Sequence, residues 1–170
     1  MFKGTYRHRI DPKGRLPVPA AFRRALEADG ESRLVLTLLD QCLAAYPPRQ
    51  WAALEAQLRA LPAFSRPVKA LTRLLTSRAA DCELDVQGRI LLPNMLRDAA
   101  KLGHEAVLVG VLDRIEIWSP DAWDSFLADA ERLLDDASLD IQWPLPPAGG
   151  AGAPSGSPAE PRRPQAKPKR

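Results

Sequence analysis

Two short segments of the 170-residue chain carry the same charged pattern. An aspartate, a glycine three residues later and an adjoining arginine precede apolar residues and a proline in both segments, 11–19 and 85–93. Asp11 and Arg15 thus recur as Asp85 and Arg89. An arginine guanidinium can bind two phosphate oxygens or the O6 and N7 atoms of guanine. Two aspartates related by a repeat can instead share a proton as general acid and base.

The pattern also predicts how each aspartate is held. Asp at the first, Pro at the second and Gly at the fourth position favour a type I turn, and such a glycine suits the left-handed position of a bulged hairpin. The aspartate side chain can accept hydrogen bonds from amides two residues on. Asp11, Gly14, Asp85 and Gly88 are therefore predicted to build two rigid hairpin tips, each with an arginine beside it. A turn with a purely structural role would carry the same signature.

The basic surroundings argue against acid and base catalysis. Lys13, Arg15 and Arg89 should keep both aspartates ionised, whereas an acid/base pair needs one carboxyl with a raised pKa. The sequence also lacks the Asp-Thr/Ser-Gly tripeptide of aspartic proteases, a Ser/His/Asp set and a phosphate-binding loop. We therefore predict that the protein is not an enzyme.

The positions of the cysteine, histidine and apolar residues argue against disulfide-rich, metal-binding and membrane proteins. Cys42 and Cys82 form no C-x-x-C pair, and His8 and His104 do not cluster with other metal ligands, so we expect no disulfide framework, metal site or cofactor. No apolar run reaches the roughly twenty residues of a membrane helix, and the first residues lack the apolar stretch of a signal peptide. The expected location is the cytoplasm, without a membrane partner.

Charge is divided unevenly along the chain. Residues 1–80 carry fourteen Lys/Arg and six Asp/Glu, whereas residues 81–143 carry five and fourteen. Double-stranded DNA, a polyanion, would meet the basic N-terminal end first. Lys13 and Arg15 at the turn are predicted to enter a groove, and basic residues around them to hold the phosphate backbone. The candidate DNA-binding residues are Lys13, Arg15, Arg7, Arg9, Arg23, Arg24 and Arg89.

Both halves show the same predicted order of elements: strand, turn, strand, short helix, two strands and a longer helix. Prolines at positions 19, 48, 93 and 120 favour helix starts, and a further helix is predicted at 68–77. The predicted strands are 5–10, 15–18, 33–39, 43–46, 80–85, 90–92, 106–111 and 115–118.

Helical spacing assigns Trp51 and Trp123 to the core rather than to ligand stacking. The closing helix is expected to turn its whole apolar stripe inward. That stripe comprises Trp123, Phe126, Leu127, Ala130 and Leu134.

The repeated motifs and the repeated order of elements predict an α+β protein of two pseudo-symmetric units, residues 1–60 and 80–137, joined by a helical linker at 61–79. Units of this size are marginal alone, so they should pack on each other, on neighbouring subunits, or both. Residues 144–170 are rich in Pro, Ala, Gly and Ser and carry five Lys/Arg. This basic tail cannot bury enough apolar surface to offset its ordering entropy, and we predict that it is disordered.

Several ordered motifs resemble those of a known family. They are Met1-Phe-x-Gly4, Asp11-x-Lys13-Gly14-Arg15 with Pro19 and Phe22-Arg23, Cys82-Glu-Leu-Asp85 with Gly88-Arg89 and Pro93, Val109-Gly-Val, and Ile115-Glu-Ile-Trp118. Over residues 1 to about 137 the chain resembles the MraZ family of bacterial transcriptional regulators. The resemblance implies a SpoVT-AbrB type fold, in which both halves interleave strands in a small barrel-like domain with flanking helices, and a ring-shaped homo-oligomer.

The resemblance also implies a function. A family member would associate with the nucleoid, bind short repeated DNA elements upstream of the division and cell-wall gene cluster that begins with its own gene, and repress its own operon. Two departures matter: the second turn has Val86-Gln87 in place of Pro12-Lys13, and the basic tail lies outside the resemblance. An oligomeric scaffold without specific DNA binding is the competing interpretation.

Overall fold

The chain folds into eight strands and five helices over residues 1–136, the part that the computed structural model describes. The predicted disordered tail at 144–170 lies outside these residues. The strands are β1 Phe2–Arg9, β2 Arg15–Pro17, β3 Arg33–Leu39, β4 Cys42–Tyr46, β5 Ala80–Glu83, β6 Arg89–Leu91, β7 Glu105–Leu112 and β8 Arg114–Trp118. The helices are α1 Ala20–Ala28, α2 Pro48–Ala60, α3 Arg66–Thr76, α4 Asn94–Ala99 and α5 Pro120–Asp136. The α+β class predicted from the sequence is confirmed.

Six of the strands form one antiparallel sheet in the order β1-β7-β8-β4-β3-β5, and β2 pairs with β6 in a separate two-stranded ribbon. The first strand of each half therefore pairs with the other half: β1 lies on β7, and β5 lies on β3. In the ribbon, Leu16 lies opposite Ile90. Because every sheet and ribbon combines strands of both halves, neither half has a core of its own.

This exchange corrects one prediction. The segments before and after each turn were expected to pair as a hairpin, but β1 enters the six-stranded sheet while β2 enters the ribbon. Only the closing bonds of a hairpin remain, such as the bond from the Asp11 amide to the Arg15 carbonyl. The reason is that longer strands of the other half offer β1 a complete ladder of eight paired residues.

The main core lies between one face of the sheet, the ribbon, and helices α1 and α4. Alternate strand residues such as Leu34, Leu36, Leu108 and Ile117 point into it, as the two-residue period of a strand requires. Phe22 of α1 contacts two aromatic rings of β1 edge to face, at centroid distances of 5.6 and 5.1 Å. Such contacts hold the short helix against the edge strand.

The other face of the sheet carries the longer helices. Trp51 of α2 is buried against Val35, Ala44 and Tyr46, which confirms its predicted core role. The buried Thr37 hydroxyl donates a 2.7 Å hydrogen bond to the Leu75 carbonyl and so ties α3 to β3. Helix α5 packs through the half-buried Trp123 on Cys42, Val107 and Trp118.

The prediction for the rest of α5 is wrong for Leu127 and Leu134 and holds in part for Phe126 and the half-buried Ala130. Phe126, Leu127 and Leu134 were expected to point inward, yet they are 44%, 45% and 60% exposed. Phe126 contacts the ring of Trp118 on β8 at a centroid distance of 5.2 Å, so only its inner side meets the sheet. A helical apolar stripe predicts a buried face but does not specify the partner.

Gly110 is the point of closest approach between β1 and β7. It lies opposite Gly4, and a Cβ at Gly110 would overlap the backbone of Phe2 and Lys3. Gly4 itself has a φ of 99°, in the left-handed region. Glycine is needed here because two backbones meet without room for a side chain.

We predict that Gly110→Ala destabilises the fold by about 3 kcal/mol, because β1 must shift along its whole ladder to accept the methyl group. Gly103→Ala is the matched control, since nothing lies within 4 Å of a Cβ there. Urea unfolding at one protein concentration measures both variants. Equal midpoints for the two would contradict the proposed close approach.

Candidate nucleic-acid interface

The first turn is built around the carboxylate of Asp11. Its Oδ1 accepts hydrogen bonds from the amides of Lys13 and Arg15, both at 2.9 Å, and the Gly14 amide donates to the Asp11 carbonyl at 2.9 Å. Gly14 has a φ of 85°, the left-handed conformation predicted for it. These bonds fix the backbone of the turn while the Lys13 side chain stays exposed.

The second turn repeats this geometry residue for residue. Oδ1 of Asp85 accepts from the amides of Gln87 and Arg89 at 2.9 and 3.0 Å, and the Gly88 amide donates to the Asp85 carbonyl at 2.8 Å. Gly88 has a φ of 72°. The two turns therefore have equivalent hydrogen bonds and equivalent left-handed glycines, without the hairpin pairing that was predicted.

Each turn also binds its own arginine through Oδ2 of the aspartate. Arg15 Nε lies 2.6 Å from Asp11 Oδ2. Arg89 uses Nε and Nη2, at 2.8 and 2.7 Å from Asp85 Oδ2, and its Nη1 lies 4.0 Å from Asp11 Oδ2. The two turns thus share one charged cluster. The Arg89 side chain is 22% exposed and that of Arg15 is 35% exposed, so Arg15 is the more accessible cation.

Each turn packs on the helix start of the opposite half. The Leu92 amide donates to the Gly14 carbonyl, and the Val18 amide donates to the Gly88 carbonyl. Arg23 lies over Gly88 and donates a 2.7 Å bond from Nη1 to the Val18 carbonyl. Arg23 was predicted to hold DNA phosphate, and the structure gives it this intramolecular bond beside the second turn.

Arg97 is the residue that sequence reasoning missed. Its Nη1 lies 3.0 Å from the position that a Cβ of Gly14 would occupy, so it lines the first turn. Its Nε is buried without a hydrogen-bond partner among the described residues. The available signal was the repeat itself, in which Phe22-Arg23 matches Leu96-Arg97.

The remaining predicted cations lie apart from this cluster. Arg7 forms an exposed ion pair of 3.0 Å with Asp124 of α5, on the sheet face opposite the main core. Arg9, two residues before the turn, is almost fully exposed and lies 3.8 Å from Glu105. Arg24 is exposed on α1. The structure therefore brings together Asp11, Lys13, Arg15, Asp85 and Arg89, and separates Arg7 from them.

Hydrogen bonding keeps both aspartates ionised. The Arg15 amide, aided by the Arg15 guanidinium, lowers the pKa of Asp11. The Arg89 guanidinium, followed by the Arg89 amide, lowers the pKa of Asp85 from 3.8 to about 2. A shared-proton pair needs one raised pKa, so this arrangement does not support acid/base catalysis.

Other kinds of site find little support in the described residues. Residues 1–136 contain no cluster of three or more His, Cys, Asp or Glu side chains that could hold a metal ion. Cys42 and Cys82 are buried, and burial raises the pKa of these thiols to about 12 and about 11, so neither is a reactive thiolate. None of the helices in this part of the chain is long and apolar enough to cross a membrane.

We predict that the Asp85 carboxyl titrates near pH 2, which the ¹³C shift of its carboxyl carbon in a pH titration would measure. Because the folded state lowers this pKa, the stability that the carboxylate contributes is complete above pH 3.8 and is lost as the pH falls toward about 2. Arg89→Ala should move the midpoint toward 3.8. An unchanged midpoint would mean that the backbone amides alone hold the carboxylate.

Comparison of the sequence with known proteins identifies its family. A family model described as "MraZ protein, putative antitoxin-like" matches twice, at residues 1–74 and 75–140. Proteins named transcriptional regulator MraZ are similar over most of the chain. That of Desulforamulus reducens is 47% identical over 141 residues, 83% of this chain and 97% of the relative. That of Desulfitobacterium hafniense is 51% identical over 138 residues, 81% of this chain and 94% of the relative. With both halves matched, the chain belongs to the MraZ family.

Proposed function

We propose that this protein is a sequence-specific DNA-binding transcriptional regulator whose first turn, residues 11–15, contacts the DNA. The observation that carries the proposal is a rigid, cation-bearing turn in a chain whose relatives are named transcriptional regulators. A turn already fixed by its own hydrogen bonds loses little entropy on binding.

Arg15 is oriented for base recognition. Its Nε is held by Asp11, whereas neither Nη nitrogen has a hydrogen-bond acceptor among the described residues. The outer edge of the guanidinium can thus face the O6 and N7 atoms of guanine or two phosphate oxygens. Arg89 instead uses Nη2 as well as Nε on Asp85. This difference favours the first turn as the DNA-contacting one.

The surrounding cations act on the phosphate backbone in this proposal. Lys13 is exposed at the tip, and Arg9 and Arg24 are exposed nearby in sequence. Arg97 lies under the turn, where it adds positive charge that sequence reasoning did not assign. Contacts of this kind set the register on the duplex without reading bases.

Family membership supports the wider proposal. The protein would act at the nucleoid in the cytoplasm as a ring-shaped homo-oligomer of SpoVT-AbrB type subunits, a fold that the exchange of β1 and β5 between halves supports. Its targets would be short repeated elements upstream of the division and cell-wall gene cluster, including its own operon, which it represses. Several turns engaged on spaced repeats would raise affinity by roughly a hundredfold or more through linkage alone.

We predict that Arg15→Ala lowers affinity for DNA upstream of the gene by about 1 to 3 kcal/mol per engaged subunit, and that Arg89→Ala lowers it less. Arg89→Ala removes more aspartate contacts than Arg15→Ala does, so damage to the turn alone would make Arg89→Ala the worse variant. A larger loss of affinity for Arg15→Ala therefore reports DNA contact. Mobility shifts against specific and random DNA measure it. A larger loss for Arg89→Ala, at a melting temperature equal to that of Arg15→Ala, would move the DNA face to the second turn. Parent protein that forms the oligomer but binds no specific DNA would favour the scaffold interpretation.

Lys13 and Gln87 offer a second matched pair, because their amides make the same bond to an aspartate. We predict that Lys13→Gln weakens binding to specific and random DNA alike and makes the dependence of log affinity on log salt shallower by about one unit per engaged subunit. Gln87→Ala should change neither quantity. An unchanged salt slope for Lys13→Gln would show that Lys13 does not contact phosphate.

A further inference from the structure

Helices α2 and α3 enclose an apolar cleft that no part of residues 1–136 fills. The cleft has a volume of about 450 Å³ and is lined by Leu58, Leu61, Ala63 and Val68. Its polar lining is net cationic, since it carries Arg59, Lys69 and Arg73 against Glu55, which pairs with Arg59 at 3.4 Å. Phe64 of the connecting loop is 91% exposed. A cleft of this shape and charge suits an amphipathic helix that carries acidic side chains.

Helix α5 has the complementary character. Its second half exposes Phe126, Leu127, Leu133 and Leu134, two adjacent pairs that lie seven residues, or about two helical turns, apart and therefore form one stripe. The sequence of the helix contains six Asp/Glu and a single Arg. Residues 48–78, which form the cleft, contain six Lys/Arg and a single Glu. The apolar stripe and the opposite charges fit the cleft and its polar lining.

The two surfaces lie toward opposite ends of the six-stranded sheet. Helices α2 and α3 contact β3, which is next to the edge strand β5. Helix α5 is joined by the Arg7–Asp124 ion pair to β1, the other edge strand. Trp123 and the ion pair hold α5 over β1, β4, β7 and β8, so the helix leaves its own cleft open within residues 1–136 and a second copy is the occupant we infer. The basic tail cannot substitute for it, because its charge matches that of the polar lining.

We propose that the second half of α5 in one copy docks into the α2–α3 cleft of the next copy. This inference rests on the homo-oligomer proposed above and identifies its contact surfaces. Because the two surfaces differ, the contact is heterologous, and repetition of it closes a ring when the rotation allows.

Two variants test the contact, each disabling one surface. Leu133→Asp places a charge in the exposed stripe, and the double change Lys69→Glu with Arg73→Glu reverses the charge of the polar lining. Each variant alone should lose the oligomer, with self-association weakened at least tenfold. A 1:1 mixture should form dimers and nothing larger, because it retains one intact α5 and one intact cleft per pair. Light scattering after size-exclusion chromatography measures the masses.

Met95→Asp is the matched control, since Met95 is 57% exposed on α4 and Leu133 is 66% exposed on α5. It should keep the parent oligomer. Circular dichroism verifies that each variant is folded, and Leu134→Asp replaces Leu133→Asp if that variant is not. Variants that keep the parent mass, or a mixture that stays monomeric, overturn the docking surfaces while leaving the DNA-binding proposal intact. A monomeric parent overturns the ring as well.

Discussion

The aspartate carboxylate at each turn is the interaction on which the arrangement depends. Asp11 and Asp85 each bind two amides through one oxygen and a guanidinium through the other. At these points the chain leaves the six-stranded sheet and enters the ribbon. The same bonds that set this change of direction also hold the arginine beside the turn. The hydrogen bonds of each aspartate therefore serve both the fold and the proposed binding site. Since they already hold the arginine, less side-chain entropy is lost when it binds DNA.

Exchange of strands makes the two halves inseparable. Strand β1 pairs with β7 of the second half, and β5 pairs with β3 of the first. Each turn is therefore held in place by residues of both halves. Leu92 and Val18 bind the carbonyls of the opposite turn in the same reciprocal way. Selection can change the surface charge of one half only within this shared core. Such a constraint explains why the turn geometry is nearly identical while the side chains at Lys13 and Gln87 differ.

The sequence predicts the local features well and the long-range ones poorly. Turn residues locate the turns, and a short apolar run locates the strand Arg33–Leu39 to the residue, because these depend on neighbours in sequence. They do not reveal that β1 pairs with β7, since alternation specifies a buried face and not a partner. Arg97 was missed for the same reason. The repeat shows that it matches Arg23, but its position beside Gly14 results from the pairing of strands between the two halves. The exposed stripe of α5 has a clear helical period with no indication of which chain covers it.

The α2–α3 cleft and the second half of α5 offer a physical explanation of the uneven charge of the chain. If the positive charge of residues 1–80 served DNA alone, its extension to Lys69 and Arg73, on a helical layer behind the sheet, would have no acidic partner among the described residues. If the acidic second half were merely solvated, its closing helix would have no need of an apolar stripe. Pairing of α5 with the cleft accounts for both features by one contact. It would also neutralise the helices between copies and leave residues 1–26, with seven Lys/Arg and one Asp, as the net positive surface. Such a surface steers an oligomer onto DNA by that face.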